Sequence, residues 1–426
     1  MIDAASLSLI MPIIEKGLKN KNIEIKLVAC KAIESISEFT APLDMQLYFD
    51  RLLPCYGSSL FDSIPEVRDV AADTLGLVAK YLGADNSSEV VDWLDNMLQS
   101  ECSVIERAGA SYAYSKIIPY INWDLHRFLG MCQSEEVYVR ESYLELLSYL
   151  PTHTSFLENF NEICAIMYEN ISHVNNAVRE ASVKVMNRSI KHYSKTHLDM
   201  IIQPLEDGLF SENWRTRQSS LSLMGLLLET LQKRDRREGT TSLEDDKKHR
   251  ILATIYLLRS DRTSNISVIA AQTWNKIVDN TQKLMPVMTP ILVNKVLDVV
   301  EQDQQDTIDV IICSFEGILN NYQEAAARNW LPHIIELKDQ FPCGTLLIVG
   351  MIVDKISGLH LGRFLDEFTT LLDFLLRLET EELRDRAGKI FIQYYNKTSN
   401  EHISSEGAPI ILNLFEMLED SPVSFR

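Results

Sequence analysis

The sequence predicts an all-α chain of the HEAT/armadillo type, an α-solenoid of about ten helical-hairpin repeats. Three observations carry that expectation. Of 426 residues 46% are hydrophobic, yet only 16 are glycine and 13 proline, fewer turn residues than an all-β chain of this length needs. No convincing strand alternation appears anywhere in the chain. Finally, one amphipathic helix pattern returns about every forty residues, each time with a basic residue near its start.

The clearest copy is "IPEVRDVAADTLGLVAKYLG", residues 64–83. Pro65 suits the first helical turn, where a missing N–H costs nothing. Val67, Val70, Ala71, Thr74, Leu75, Val78 and Leu82 then make one apolar stripe, and Gly83 supplies a stop. Upstream, "LYFDRLLPCYGSSLFD" from Leu47 carries a second stripe, so helix, turn and helix form one unit. Following the basic residue gives Lys26, Arg68, Arg107, Arg140, Arg179 and Arg217, spaced 42, 39, 33, 39 and 38 residues apart. Ser267 stands in the equivalent place in "ISVIAAQTWNKIV", and Arg384 restores it in "ELRDRAGKIFI". Residues 282–360 read as helical but degenerate.

Domain organisation follows from where the pattern slips. Residues 1–231 form regular repeats, 232–250 ("QKRDRREGTTSLEDDKKHR") read as a charged inter-repeat loop, and 251–426 form more degenerate repeats. The longest apolar run, "CGTLLIVGMIV", has 11 residues, too few for a bilayer span. Asp3 stands where a secretory signal needs a cation, and seven scattered cysteines fit a reducing compartment. The expectation is a cytoplasmic protein without membrane contact. Both ends, "LSLIMPII" and "APIILNLFEML", are apolar on at least one side, which suggests end-to-end association or a missing neighbour.

A search for catalytic chemistry returns none, so no enzyme, cofactor, metal or small-molecule substrate is expected. No C-x-x-C pair, phosphate loop or nucleophile elbow is present. His192 and His197 read as surface histidines between helices, and His333 with Glu336 lacks a third ligand.

Against 41 basic residues stand 60 acidic ones, a net charge of −19, which disfavours random contact with nucleic acid. RNA contact would have to be local. The candidates are Lys233, Arg234, Arg236 and Arg237, followed by Lys247, Lys248 and Arg250, although five interleaved carboxylates cancel much of their field. The recurrent cations, Lys26, Arg68, Arg107, Arg140, Arg179, Arg217 and Arg384, read as a structural ladder, with Asp62, Glu135 and Glu212 available just upstream. Arg215 is surplus to that ladder and adjoins Trp214, the composition of a contact surface. Trp214 also has a packing reading.

Six collinear segments, "LIMPIIEKGLKNKNIEIKLVACKAI", "DSIPEVRDVAADTLGLVAKYLG", "SVIERAGASYAYSKII", "YVRESYLELLSYLP", "PLEDGLFSENWRTRQSSLSLMGLLLE" and "ELRDRAGKIFIQ", resemble the giant general-control translational activator family. Its earlier part is also similar to the HEAT domain of fungal elongation factor three. The resemblance implies a non-catalytic scaffold that binds ribosomes or ribosome-associated proteins and promotes activation of the initiation factor two alpha kinase under stress. On the residues' own composition, the first bets for partner contact are Trp214, Arg215, Lys233, Arg234, Arg236 and Arg237. No kinase-contacting residue is carried over, because the family's kinase-binding region lies further toward its C-terminus. The alternative reading is an acidic solenoid of nuclear-transport or phosphatase-scaffold type that takes basic protein cargo.

Overall fold

A computed structural model of the chain describes residues 2–301 and 305–398. Among the described residues the regular structure is helical, with one isolated bridge between Ile2 and Thr40. They group into two units, Met1–Thr230 and Leu231–Arg426.

The first unit is a run of helical hairpins. α1 (Ala4–Leu18) pairs with α2 (Ile23–Phe39), and the short α3 (Pro42–Gln46) leads into α4 (Phe49–Leu60), which pairs with α5 (Pro65–Leu82). Then come α6 (Ser88–Gln99) with α7 (Val104–Ile117), and α8 (Leu125–Met131) with α9 (Val137–Ser148). α10 (Thr154–Glu158) and α11 (Phe160–Asn170) precede α12 (Asn176–Tyr193); α13 (Leu198–Gly208) precedes α14 (Trp214–Glu238), which runs on into the second unit.

Each second helix packs on the next one, α2 on α5, α5 on α7, α7 on α9 and α9 on α12, while the first helices pack in a parallel layer. The core lies between the layers, where Leu7, Met11, Val67, Leu75, Leu94, Ala110, Leu144 and Val185 lose all or nearly all contact with water. Prolines sort by layer: Pro12, Pro54 and Pro204 sit inside first helices, whereas Pro65 opens a second helix. Polar caps start three of the second helices. Asn22 accepts from the Glu24 N–H, Asn175 from that of Ala177, and Ser103 with Glu106 completes a reciprocal capping box.

The second unit contains α15 (Asp245–Leu258) with α16 (Ser264–Ile277), α17 (Thr281–Glu301), α18 (Gln305–Leu337), α19 (Pro342–Lys355), α20 (Gly358–Leu361), α21 (Leu365–Leu376) and α22 (Glu381–Lys397). α18 is two helices joined at Gln323, whose φ of 29° and ψ of −104° break the helical path. α18 packs on α17, where Trp330 and His333 reach Thr289 and Asn294, and on α19, where Lys355 meets Glu316, so helix packing continues through the stretch that reads as degenerate. A single left-handed residue replaces the usual connecting turn there, which is why no turn signal appears in the sequence.

The expected loop at residues 232–250 is corrected by this architecture. α14 continues to Glu238, only 239–244 connect, and α15 begins at Asp245. Gln, Lys, Arg and Glu are good helix formers even without an apolar stripe, so a charged, aperiodic run extends the helix until Gly239, at φ 64°, ends it. The apolar segment "APIILNLFEML" lies outside the described residues.

Candidate partner-binding surfaces

The recurrent arginines share one geometry. Arg68 donates to the Asp62 carbonyl at 2.7 Å, Arg140 to Ser134 at 2.9 Å, Arg179 to His173 at 2.6 Å, Arg217 to Ser211 at 2.8 Å and Arg384 to Leu378 at 2.8 Å. In every case the acceptor lies six residues upstream. Arg107 reaches the Cys102 carbonyl, five upstream. Each guanidinium therefore folds back over the turn between first and second helix and satisfies carbonyls that the departing chain leaves without helical partners. Of the carboxylates expected to receive them, Asp62 and Glu212 offer carbonyls to Arg68 and Arg217, and the Asp62 side chain instead takes Lys26 of the preceding repeat.

The same residues couple neighbours. Arg107 meets Glu141 of the next repeat at 3.3 Å, and Arg140 meets Asn170 at 3.3 Å. Their side chains are about nine-tenths buried, so they are committed to the fold. Where Ser267 replaces the cation, its hydroxyl returns to the Ser264 carbonyl in its own helix, and the Asp261 carboxylate closes the turn by accepting from the Thr263 N–H.

A second ladder escaped sequence reasoning. Lys116 pairs with Asp73, Lys184 with Glu145 and Lys355 with Glu316, each linking second helices of adjacent repeats at 2.6, 2.9 and 3.2 Å. Opposite charges about one repeat apart were its only signal.

Trp214 and Arg215 stand together at the start of α14. Trp214 is 39% exposed, and the Arg215 guanidinium lies 4.8 Å from its ring centre. The Asn213 side chain accepts from the Arg215 N–H at 3.0 Å, which fixes both residues on the first turn.

The other candidates divide at the far end of the same helix, in the second unit. Lys233, Arg236 and Arg237 are exposed. Arg234 instead turns inward to Ser242 at 2.7 Å, and Asp235 accepts from both the hydroxyl and the N–H of Ser242. That pair pins the 239–244 turn. Arg236 approaches Asp279 at 3.8 Å, both side chains largely in water, a contact of little energetic weight.

The titratable pairs considered for chemistry are placed as follows. His192 and His197 pack edge-on around Tyr193, and His333 bonds Asn294 at 2.8 Å with Glu336 4.0 Å away. A cleft of about 330 Å³ opens nearby, lined by Met285, Pro286, Thr289, Tyr322, Ala326 and Trp330, but neither His333 nor Glu336 lines it. Among the described residues no cluster of three or more His, Cys, Asp or Glu side chains could hold a metal ion, and no helix is long and apolar enough to cross a membrane.

Comparison with known proteins bears on the repeats directly. The family described as "Elongation factor 3/GNC1 HEAT repeat" matches residues 1–89. The eIF-2-alpha kinase activator GCN1 of Dictyostelium discoideum is 28% identical over 416 residues, covering 90% of this chain and 14% of that protein. The chain is similar to GCN1 proteins along nearly all of its length. The human protein named stalled ribosome sensor GCN1 is 24% identical across 99% of the chain and 17% of its own length, and Protein ILITYHIA of Arabidopsis thaliana is 29% identical across 70% and 12%. The chain spans about one sixth of those relatives' length or less. Among solved structures, yeast importin-beta (Kap95p) aligns over all of the chain and 57% of its own, at 13% identity and a TM-score of 0.41.

Proposed function

We propose that the chain is a non-catalytic HEAT-repeat scaffold that associates with ribosomes or ribosome-bound factors in the cytoplasm and serves activation of the initiation factor two alpha kinase. The observation that carries this reading is similarity running along 90 to 99% of the chain to proteins named for stalled-ribosome sensing and for kinase activation. The turn clamps at Arg68, Arg140 and Arg179 support it, since they tie the turn carbonyls into the fold and give a partner fixed edges to meet. First contacts are assigned to Trp214 and Arg215 on one unit and to Lys233, Arg236 and Arg237 on the other. Arg234 serves the turn instead, through Ser242.

The test is co-sedimentation with polysomes on sucrose gradients at low and moderate salt, beside an Arg215→Ala/Arg236→Ala/Arg237→Ala variant. Co-migration that the variant loses supports the reading and its residues. Co-migration that the variant keeps moves the contact elsewhere. An unaltered chain that stays at the top of the gradient at low salt overturns ribosome association.

A further inference from the structure

The turn edge of the first unit carries a second pattern, offset from the clamps. Three residues before each clamp, at the first helical position, stand Ile23, Pro65, Val104, Val137 and Trp214. Asn176 breaks the series, and there Val174 projects instead, 80% exposed. Val104 and its neighbour Ile105 are 60% and 57% exposed, and Pro65 is exposed too. These aliphatic groups do not fill the core, because a first-turn residue beside the clamp points off the end of the hairpin.

The charges between them have one sign. Across the turns of the second to fourth hairpins, Glu66, Glu101, Glu135 and Glu136 are exposed, while the cations of the same turns, Arg68, Arg107 and Arg140, are spent on carbonyls. The first turn differs, since Lys19 and Lys21 are exposed there, so the acidic character begins with the second hairpin. Consecutive second helices are in contact, which places successive turns roughly 8–10 Å apart and the edge from Pro65 to Val174 at about 30 Å.

We propose that this edge, from Glu66 to Val174, docks a basic polypeptide segment of about ten residues in which lysine or arginine alternates with aliphatic side chains. An extended chain rises about 3.3 Å per residue, so such a length spans the four turns. Its cations meet the glutamates and its aliphatic groups meet Pro65, Val104, Ile105 and Val174. Nucleic acid is the wrong partner, because the exposed charge repels phosphate. The proposal does not rest on ribosome association: a chain that fails to sediment with polysomes keeps this edge.

The experiment uses the full chain and a synthetic peptide alternating lysine and leucine, with a lysine–serine peptide as comparison, by fluorescence anisotropy at moderate salt. The expected result is that Glu66→Gln/Glu101→Gln/Glu135→Gln/Glu136→Gln weakens the lysine–leucine peptide about tenfold, the sum of several exposed ion pairs. Val104→Ser/Ile105→Ser should weaken it and leave the lysine–serine peptide unchanged. An equal-charge control, Asp50→Asn/Glu89→Gln/Asp92→Asn/Glu158→Gln, should stay within about twofold. Hydrogen exchange on the unaltered chain, free of any folding question, should show peptide protection around residues 64–66, 101–106, 135–138 and 174–177. Equal losses in edge and control variants, protection elsewhere, or preference for single-stranded RNA over the peptide overturns the proposal.

Discussion

The Arg68 guanidinium donates to the carbonyl of Asp62 at 2.7 Å, while the carboxylate of that same aspartate holds Lys26 of the hairpin before. One residue therefore closes its own turn through its backbone and locks the stack through its side chain. Lys26 is the main reason that the Asp62 carboxyl sits below its ordinary range.

Removing a clamp should cost more than its place near the surface suggests. Arg140 satisfies the carbonyls of Ser134 and Gln133 and bonds Asn170 of the next repeat. Arg140→Ala should lower unfolding free energy by about 1–3 kcal/mol in urea titrations, and Arg140→Lys should recover less than half, since an ammonium cannot reach several acceptors in one plane. A loss below about 0.5 kcal/mol would refute the clamp.

Helical glycine is normally worth replacing. Gly109 is one of the exceptions, because a Cβ there would lie 2.5 Å from the Leu60 carbonyl oxygen of the neighbouring hairpin. Gly109→Ala should destabilise by about 1–3 kcal/mol, whereas Gly130→Ala, with nothing within 4 Å, should be neutral or stabilising by up to about 1 kcal/mol. Melting curves of the two variants should shift in opposite directions.

Acid should weaken the first unit by a route the histidines define. His153 accepts from the Ser155 N–H and His173 from the Asn175 N–H through Nδ1, a bond only neutral imidazole can make. Partial burial pushes both below the ordinary histidine value, with Arg140 and Arg179 adding to the effect at His173. The folded state binds protons less readily than the unfolded one, so stability is full above the unfolded value and falls as pH drops through the folded value. His153→Asn/His173→Asn keeps an acceptor that does not titrate and should flatten stability against pH below neutrality.

The polar joint between the third and fourth hairpins should respond asymmetrically. Buried Asp95 accepts from the Tyr143 hydroxyl at 3.0 Å and from Arg127 at 3.1 Å, while Arg127 is half exposed. Asp95→Asn should cost about 1–2 kcal/mol, because the freed guanidinium finds water. Arg127→Ala should cost more, because it leaves a buried carboxylate without its cation. Chemical denaturation orders the two, and the reverse order would contradict this account.

The hairpins were legible because burial of one helix face imposes a three-and-four spacing that survives in the residues from Val67 to Leu82. The cations from Lys26 to Arg217 were legible as recurrent, though their carbonyl acceptors were not. The 232–250 stretch misled because helix propensity without burial leaves no apolar period, and the break at Gln323 was invisible because one left-handed residue makes a turn without glycine or proline. Of the surface candidates, Arg234 looked like its neighbours in sequence and was separated from them by Ser242.

By itself the sequence determined the helical class, the repeat length and which positions recur, since these follow from local periodicity. Only the tertiary structure decided what each recurring side chain touches: a carbonyl rather than a carboxylate for Arg68, the next helix for Lys184, the turn for Arg234, open water for Val104. Side-chain direction depends on which hairpin stacks against which, and contacts between residues about forty apart in the chain exist only once the stack has formed.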